Sequence, residues 1–343
     1  MKQKIIKLKK ELTNDVVIMA HHYQKDEIVS YADVTGDSLE LAQKIPLFKD
    51  KKFIIFCGVH FMAETASILA KENQTIILPD LKAGCFLADT ATIETVESAW
   101  DILTKHNNEK IIPITYINSS ASLKSFVGKN GGAICTSSNA NKIISWALKQ
   151  GEKLFFLPDQ HLGRNTSFKL GIPLNQMIEY NATEKDGGLD TSEIENAKII
   201  LWSGYCDVHQ KFTTTQIKNV RKNDNHAKII VHPECPFDVV SHSDLNGSTS
   251  FIINEINKST PDSRFAVGTE INLVNRLAKN NPDKTIYSLS PENPQCDTMN
   301  IITENSLLKA LTSIKNNNPL NVIKVSRDLS SNALKALERM LTI

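Results

Sequence analysis

Six cysteines are spread along the 343 residues, and three of them occur in settings that suit metal binding. Cys85, Cys206 and Cys296 each follow an apolar run and have small or polar neighbours, in the segments AGC, GYC and PQC. They are far apart and match no local CxxC spacing, so the spacing alone leaves ordinary loop thiols as an open alternative. Three thiolates without a fourth protein ligand would leave one metal position open to a substrate. By contrast, Cys57 and Cys135 lie inside apolar runs, which is typical of buried cysteines.

A second group of residues could transfer protons or bind anions. His232 and Glu234, in the segment HPEC, offer a general acid and base on one loop, or else a backbone-bonded histidine and a surface glutamate. Ser38 and Ser137 suit helix N-caps, and such helix N-termini also bind phosphate or carboxylate groups. The polar candidates are His21, His22, Tyr23, Ser38, Tyr116, Asn118, Ser137, Asn139, His209, His232, Glu234 and Thr249.

Several common catalytic motifs are missing from the sequence. It contains no GxGxxG, GxxxxGK[ST], GxSxG or HExxH segment. The sequence therefore gives no support for a dinucleotide-binding protein, a P-loop nucleotide hydrolase, a serine hydrolase or an HExxH zinc protease.

The candidate residues depend on a repeated strand and helix pattern for their positions. Continuous apolar runs, typical of strands buried on both faces, alternate with amphipathic segments of helical length, which predicts an α/β fold with parallel sheets. Because ten strands would be close to the limit for one open sheet, we expect three smaller α/β units. The predicted strands are 16–20, 52–58, 75–79, 110–117, 132–136, 153–158, 198–202, 228–232, 264–268 and 285–289.

The polar motifs nearly all come directly after a predicted strand. In open α/β sheets, ligands bind outside the carboxyl ends of the strands. If the units share one central crevice, the histidines, hydroxyls and loop cysteines therefore face it together.

The charge balance and the distribution of apolar residues restrict the cellular location and the binding partners that we expect for this protein. Lys and Arg total 39 against 38 Asp and Glu, a net charge of +1, so no basic field exists to attract nucleic acid or a membrane surface. No apolar run approaches the ~18 residues of a membrane span, and the basic N-terminus lacks the pattern of a secretion signal. We therefore expect a cytoplasmic protein with reduced thiols rather than a disulfide framework.

Taken together and in order, the motifs strongly resemble the quinolinate synthase family, the A proteins of de novo NAD biosynthesis. The resemblance extends from about residue 15 to residue 301. It is carried by MAHHYQKDEIVSYADVTGDSLELAQ, PDLKAGCFLAD, YINSSASLKS, CTSSNA, FFLPDQHLGRN, WSGYCDVHQKFT, HPECPFDVV, GSTSFI, VGTE and CDTMN.

The resemblance implies three pseudo-symmetric, three-layer α/β/α domains with small parallel sheets around a central active-site tunnel. We expect the domains to span residues 1–100, 101–205 and 206–300, followed by a helical segment at 301–343. Its final helix, at 325–343, is expected to pack back on the first domain.

The family condenses iminoaspartate with dihydroxyacetone phosphate to give quinolinate, releasing phosphate and water. It uses an oxygen-sensitive 4Fe-4S cluster, one per chain, whose open iron would act as a Lewis acid. The resemblance assigns the three cluster ligands to Cys85, Cys206 and Cys296. Some relatives carry a CxxCxxC run around the third ligand, whereas PENPQCDTMN leaves Cys296 as the sole candidate here. Cys235 is not expected to be a ligand.

The resemblance also implies the roles of the polar residues. Glu234 would transfer protons, helped by Tyr23 or Tyr116, and His21 is a further catalytic candidate. His209 would lie near the cluster or the substrate. The implied substrate-binding residues are His21, Ser38, Tyr116, Ile117, Asn118, Ser137, His232, Pro233, Glu234 and Thr249.

Two alternatives use the same residues differently. A zinc-dependent lyase or hydrolase could use the same three thiolates, since zinc also accepts an open coordination position. A non-enzymatic iron-sulfur sensor would need an output surface such as a basic patch, which the sequence does not offer. The implied partners are the two small substrates and, transiently, an aspartate oxidase that delivers iminoaspartate, with no nucleic acid or membrane.

Overall fold

A computed structural model describes residues 1–105 and 109–343, and its strands form three sheets. The strands are β1 (Val16–His21), β2 (Val34–Gly36), β3 (Phe53–Cys57), β4 (Thr75–Ile77), β5 (Ile111–Tyr116), β6 (Ala133–Cys135), β7 (Lys153–Leu157), β8 (Met177–Tyr180), β9 (Ile199–Trp202), β10 (Lys228–Val231), β11 (Leu245–Asn246), β12 (Arg264–Gly268), β13 (Thr285–Ser288) and β14 (Val322–Ile323).

The three sheets share one topology. Their strand orders are β14-β4-β3-β1-β2, β6-β5-β7-β9-β8 and β11-β10-β12-β13. In each sheet the first strand lies between the second and the third, and the pairs are parallel except for β14 with β4. The chain order therefore reverses beside the first strand of every sheet, which is where open α/β sheets bind ligands. The predicted α/β class with small parallel sheets is confirmed.

Helices connect and cover the strands. They are α1 (Lys2–Glu11), α2 (Asp26–Val29), α3 (Ser38–Lys44), α4 (His60–Leu69), α5 (Phe86–Asp89), α6 (Ile93–Lys105), α7 (Ala121–Lys129), α8 (Ala140–Ala147), α9 (Gln160–Lys169), α10 (Thr191–Asn196), α11 (Thr214–Asn223), α12 (Phe237–His242), α13 (Thr249–Lys258), α14 (Ile271–Asn280), α15 (Glu304–Lys315) and α16 (Arg327–Thr342). Short 3-10 helices lie at Ile45–Phe48, Leu174–Gln176, Lys185–Gly188, His209–Lys211 and Met299–Ile301. In the part of the chain just described, no helix has the length and apolar character needed to cross a membrane.

All ten strands predicted from the apolar runs are present, and four further strands were not predicted. The additional strands are β2, β8, β11 and β14, and each lies at the edge of its sheet. An edge strand has only one neighbour and is partly solvated, so it does not require a continuous apolar run. The burial of these strands agrees, since β2 and β11 are largely half-buried whereas β1 and β5 are buried throughout.

The C-terminal segment joins two of the sheets. Strand β14 pairs with β4 of the first sheet, and α15 packs on α1. The last helix, α16, was expected on the first domain, but it packs mainly against α7 beside the second sheet and only in part against α4. A Cβ atom on Gly128 of α7 would lie only 1.9 Å from the carbonyl oxygen of Asn332 in α16. The two helix backbones can approach closely because residue 128 is glycine. The domain limits themselves stay a prediction.

Candidate active site

Loops at the carboxyl ends of all three sheets line one cavity. It brings together most residues that the sequence analysis singled out. Of these, the cavity is lined by His21, Tyr23, Ser38, Cys85, Tyr116, Asn118, Ser137, Cys206, His209, His232, Glu234, Thr249 and Cys296. Two predicted substrate-binding residues do not line it. Ile117 is buried against a smaller neighbouring void, and Pro233 lies on a separate groove outside the cavity.

Each sheet supplies equivalent groups at equivalent places. The first strands β1, β5 and β10 end at or just before His21, Tyr116 and His232. The segments after the second strands β2, β6 and β11 carry Ser38, Ser137 and Thr249. Cys85, Cys206 and Cys296 follow β4, β9 and β13, each of which pairs with the third strand of its sheet. Each of the three sheets therefore contributes one strand-end residue, one hydroxyl and one thiol to the cavity.

Local capping signals fix the hydroxyl-bearing loops. Asp37 caps α3 by accepting from the backbone N–H groups of Leu39 and Glu40, and the Glu40 carboxylate accepts from the Asp37 N–H. This capping box holds Ser38 at the first helical position. In the second unit, the side-chain oxygen of Asn139 accepts from the backbone N–H of Thr136 at 2.7 Å, which folds the turn that presents Ser137.

A buried hydrogen-bond network centres on Glu234. Its Oε2 lies 2.8 Å from Nδ1 of His209 and 3.9 Å from Nδ1 of His232. The two imidazoles stack with ring centroids 4.5 Å apart, and Nε2 of His232 lies 3.3 Å from the Ser137 hydroxyl. Glu234 Oε1, in contrast, has no hydrogen-bond partner among the described residues. A buried carboxylate oxygen left without a donor is suited to a polar group of a ligand.

Tyr23 connects the first unit to the third. Its hydroxyl lies 2.8 Å from the Thr269 hydroxyl and accepts from the Thr249 hydroxyl at 3.2 Å. Thr269 also lies 3.3 Å from Nε2 of His209. Tyr23, Thr249, Thr269 and His209 thus form a continuous polar chain beside Glu234. Thr269 lies in the segment VGTE, but its role could not be predicted, since a single threonine after a strand carries no distinctive signal.

Burial shifts the pKa values of the titratable side chains in this cavity. It lowers the pKa of His21 and of His232 to about 3, with help from neighbouring imidazoles. It also raises the pKa values of Tyr23 and Tyr116 well above the ordinary value for a phenol. Burial alone would raise the pKa of Glu234, but His232 and the hydrogen bond from His209 outweigh it and lower the pKa. Near neutral pH, Glu234 is therefore a carboxylate, His21 and His232 are neutral, and the phenols of Tyr23 and Tyr116 keep their protons.

A second carboxyl group, Asp159, lies behind this network and was not identified from the sequence. It is fully buried, its Oδ1 accepts from the backbone N–H of Leu162 to cap α9, and its Oδ2 is unpaired in the described chain. Burial, together with the charge of Glu234, raises the pKa of Asp159 well above its usual range. The surroundings thus shift the pKa values of the two carboxyl groups in opposite directions. From sequence, Asp159 is indistinguishable from an ordinary helix cap.

The loop that carries Glu234 is held from the second unit by Asn165. Its Nδ2 donates to the carbonyl oxygens of Pro233 and Cys235, at 2.8 and 2.9 Å. These two carbonyls flank Glu234 in the chain. Asn165 therefore fixes the loop of one unit on a helix of another, a function that sequence patterns could not show.

The three loop cysteines are half-buried at the cavity, whereas Cys57, Cys135 and Cys235 are fully buried. Burial raises the pKa of Cys85 and Cys206, and the neighbouring Cys296 raises both further. Three soft sulfur donors that line one cavity fit an iron-sulfur or zinc centre, which would stabilise the thiolates. A second possible donor set comprises Cys206, His209 and Glu234, whose ligand atoms lie within 4.8 Å of one another.

The loop of the third cysteine has its own support. The backbone N–H of Cys296 donates to Glu270 Oε1 at 3.5 Å, and the Asn300 amide donates to the Cys296 carbonyl at 2.8 Å. Burial raises the pKa of Glu270 to about 8. Glu270 also caps α14 by accepting from Asn272 and Leu273 N–H groups.

These features define the class: an enzyme built from related α/β units around one thiol-bearing cavity. A family model described as quinolinate synthetase A protein matches residues 3–342. The chain is 52% identical over 344 residues to a quinolinate synthase of Listeria monocytogenes, covering 99% of this chain and 93% of the relative. It is 49% identical over 349 residues to the quinolinate synthase of Bacillus licheniformis and 50% identical over 345 residues to a quinolinate synthase of Bacillus cereus. Each of these two matches covers 99% of this chain and 92% of the relative. The chain belongs to the quinolinate synthetase A family.

Proposed function

We propose that this enzyme condenses iminoaspartate with dihydroxyacetone phosphate to form quinolinate, releasing phosphate and water, in NAD biosynthesis. The single observation that supports it best is the convergence of one thiol, one hydroxyl and one strand-end polar residue from each of three equivalent units on one cavity. A dicarboxylate imine and a phosphate ester need many hydrogen-bond donors. The family assignment supports the same reaction.

The residues of this chain divide into binding and proton-transfer groups. Ser38, Ser137 and Thr249 would bind the phosphate and carboxylate oxygens, together with Asn118 and the neutral imidazoles. A neutral histidine can still donate one hydrogen bond to these oxygens from its protonated ring nitrogen. Ile117 and Pro233 do not line the cavity, so their proposed contribution is to position the loops that carry Tyr116 and Asn118, and His232 and Glu234.

Glu234 is proposed to be the general base. It is ionised, buried and hydrogen-bonded by His209, and its free Oε1 can accept a proton from a substrate carbon or hydroxyl. Tyr23 and Tyr116, kept protonated by burial, are suited to donate a proton to a leaving hydroxyl. His21 lies against Tyr23 with ring centroids 4.8 Å apart and orients it.

Cys85, Cys206 and Cys296 would hold a 4Fe-4S cluster. With three protein ligands, such a cluster supplies an open iron that acts as a Lewis acid toward a substrate carboxylate or hydroxyl. The alternative is a zinc-dependent lyase or hydrolase that uses the same thiolates, and the Cys206, His209 and Glu234 donor set would also suit zinc. Delivery of iminoaspartate by an aspartate oxidase and a cytoplasmic location stay predictions.

The reaction is tested with protein purified without oxygen, supplied with freshly generated iminoaspartate and dihydroxyacetone phosphate. We expect stoichiometric quinolinate and inorganic phosphate, with neither formed when one substrate is omitted. Cys85→Ala should abolish both products, and Cys57→Ala, a buried cysteine outside the cavity, should not. Turnover by zinc-loaded, iron-free protein would contradict the proposal and favour the zinc alternative.

A further inference from the structure

One carboxylate, that of Asp37, contacts all three α/β units. Its Oδ1 accepts from the backbone N–H groups of Leu39 and Glu40 in its own unit. Its Oδ2 accepts from the hydroxyl of Ser138, in the second unit, at 3.0 Å and from that of Ser250, in the third, at 2.6 Å. Asp37 itself is 5% exposed and lines the cavity.

The three residues joined by these contacts occupy equivalent places in the three units. Ser138 and Ser250 lie in equivalent places, after the second strand of their sheets, as Asp37 does in the first sheet. Each is the chain neighbour of a cavity hydroxyl, because Ser137 precedes Ser138 and Thr249 precedes Ser250. Asp37 directly precedes Ser38. The three residues joined by the carboxylate are therefore next to the three hydroxyls that face the cavity, one from each unit.

The bonds between units are not needed to cap α3. Oδ1 already receives both backbone donors, so a cap alone would leave Oδ2 free for solvent. A carboxylate beside an anion-binding cavity would also repel a phosphate group unless its own oxygens were occupied by donors. Four donors face the Asp37 carboxylate, which lets it connect the units while its charge is balanced locally.

We propose that Asp37 is a positioning residue that sets the spacing of the Ser38, Ser137 and Thr249 hydroxyls for the phosphate-bearing substrate. The proposal rests on the proposed function and deepens it, since it names the group that assembles the anion site. The two hydroxyl bonds to one carboxylate hold the start of α3, the turn after β6 and the start of α13 at fixed distances from one another. Without them the hydroxyls remain present but no longer converge.

The test removes the bonds between units and keeps the cap. In the S138A/S250A enzyme, loaded with its metal centre, we expect the KM for dihydroxyacetone phosphate and the Kd for inorganic phosphate to rise about ten-fold. We expect kcat to change less than about two-fold, because the proton-transfer groups are untouched. In a D37A background, the same double substitution should add almost nothing, since the three residues act as one unit. S122A, which removes a hydroxyl contact to Ser120 outside the cavity, is the matched control.

The possible results distinguish failure of the proposed function from failure of the Asp37 proposal. If the wild-type chain forms no quinolinate, the proposed function fails. If the wild type turns over and S138A/S250A keeps its KM and phosphate Kd, the Asp37 proposal alone is overturned. A fall in kcat of the size expected for the rise in KM, with KM itself unchanged, would also overturn the proposal. So would effects of D37A and S138A/S250A on KM that simply add when the substitutions are combined. If the double variant is poorly folded, S138A and S250A singly keep one bond each and should show intermediate rises in KM.

Discussion

Nδ1 of His209 and Oε2 of Glu234 lie 2.8 Å apart, and both side chains are almost fully buried at the cavity. The pair is sequestered from water, so the charge on Glu234 is maintained by the imidazoles rather than by solvent. Because the other carboxylate oxygen has no partner among the described residues, the pair is oriented and yet free to react. This arrangement makes Glu234 the centre of the proposed proton transfers.

Replacing Glu234 by Gln should lower kcat by at least about 10²-fold, the usual contribution of a positioned general base. The amide keeps the size of the side chain but cannot accept a proton. Steady-state kinetics with both substrates measures the effect, and the absorbance spectrum of the metal centre should be unchanged. Glu179→Gln, which changes a glutamate paired with Arg164, is the control. Near-normal turnover by E234Q would refute the assignment.

Stability should fall in mild acid because His21 is buried in its neutral form. Its pKa is about 3 in the folded protein and about 6.5 when unfolded, so its contribution is complete above pH 6.5 and is lost as the pH falls toward 3. Between pH 7 and pH 5 the loss should reach about 2 kcal/mol from this residue. Denaturant unfolding at both pH values measures it. In His21→Asn the same pH change should cost about 2 kcal/mol less, and an identical pH dependence would contradict the interpretation.

Replacing Asn165 by Asp should weaken the loop that carries Glu234. The carboxylate cannot donate to the carbonyls of Pro233 and Cys235 and would be repelled by them. We expect a loss of about 2–3 kcal/mol in the free energy of unfolding and a fall in kcat. Asn196→Asp is the matched control, since Asn196 makes one such bond at an exposed helix. If both variants behaved alike, Asn165 would have no special role.

The packing of the last helix can be tested at Gly128. An alanine there would place its Cβ against the backbone of Asn332, so α7 and α16 must separate. We expect Gly128→Ala to cost at least about 2 kcal/mol of stability, measured by denaturant unfolding. Gly84→Ala is the control, because the nearest atom to its Cβ would be 3.9 Å away. A neutral effect at residue 128 would contradict the close helix contact.

Much of this arrangement could be predicted from the sequence, and the failures have physical causes. Apolar runs identified every strand buried inside a sheet, whereas the four unpredicted strands are edge strands with weak patterns. The placement of the polar motifs directly after strands predicted that most of these residues face one cavity, although Ile117 and Pro233 lie outside it. Contacts between units could not be predicted, so Asn165 and Thr269 were missed and the packing of α16 against α7 was not expected, whereas Asp159 was missed because it looks like an ordinary helix cap. A single polar residue gives no indication of a partner far away in the sequence. Asn165 and Pro233 are 68 positions apart, and His209 and Thr269 are 60 positions apart.

The most direct test of the central claim is the iron and acid-labile sulfide content of protein purified without oxygen. We predict about four of each per chain, lost in Cys85→Ala, Cys206→Ala and Cys296→Ala but kept in Cys57→Ala and Cys135→Ala. Zinc in place of iron, or a cluster that persists when any of the three loop cysteines is replaced, would contradict the ligand assignment and the mechanism built on it.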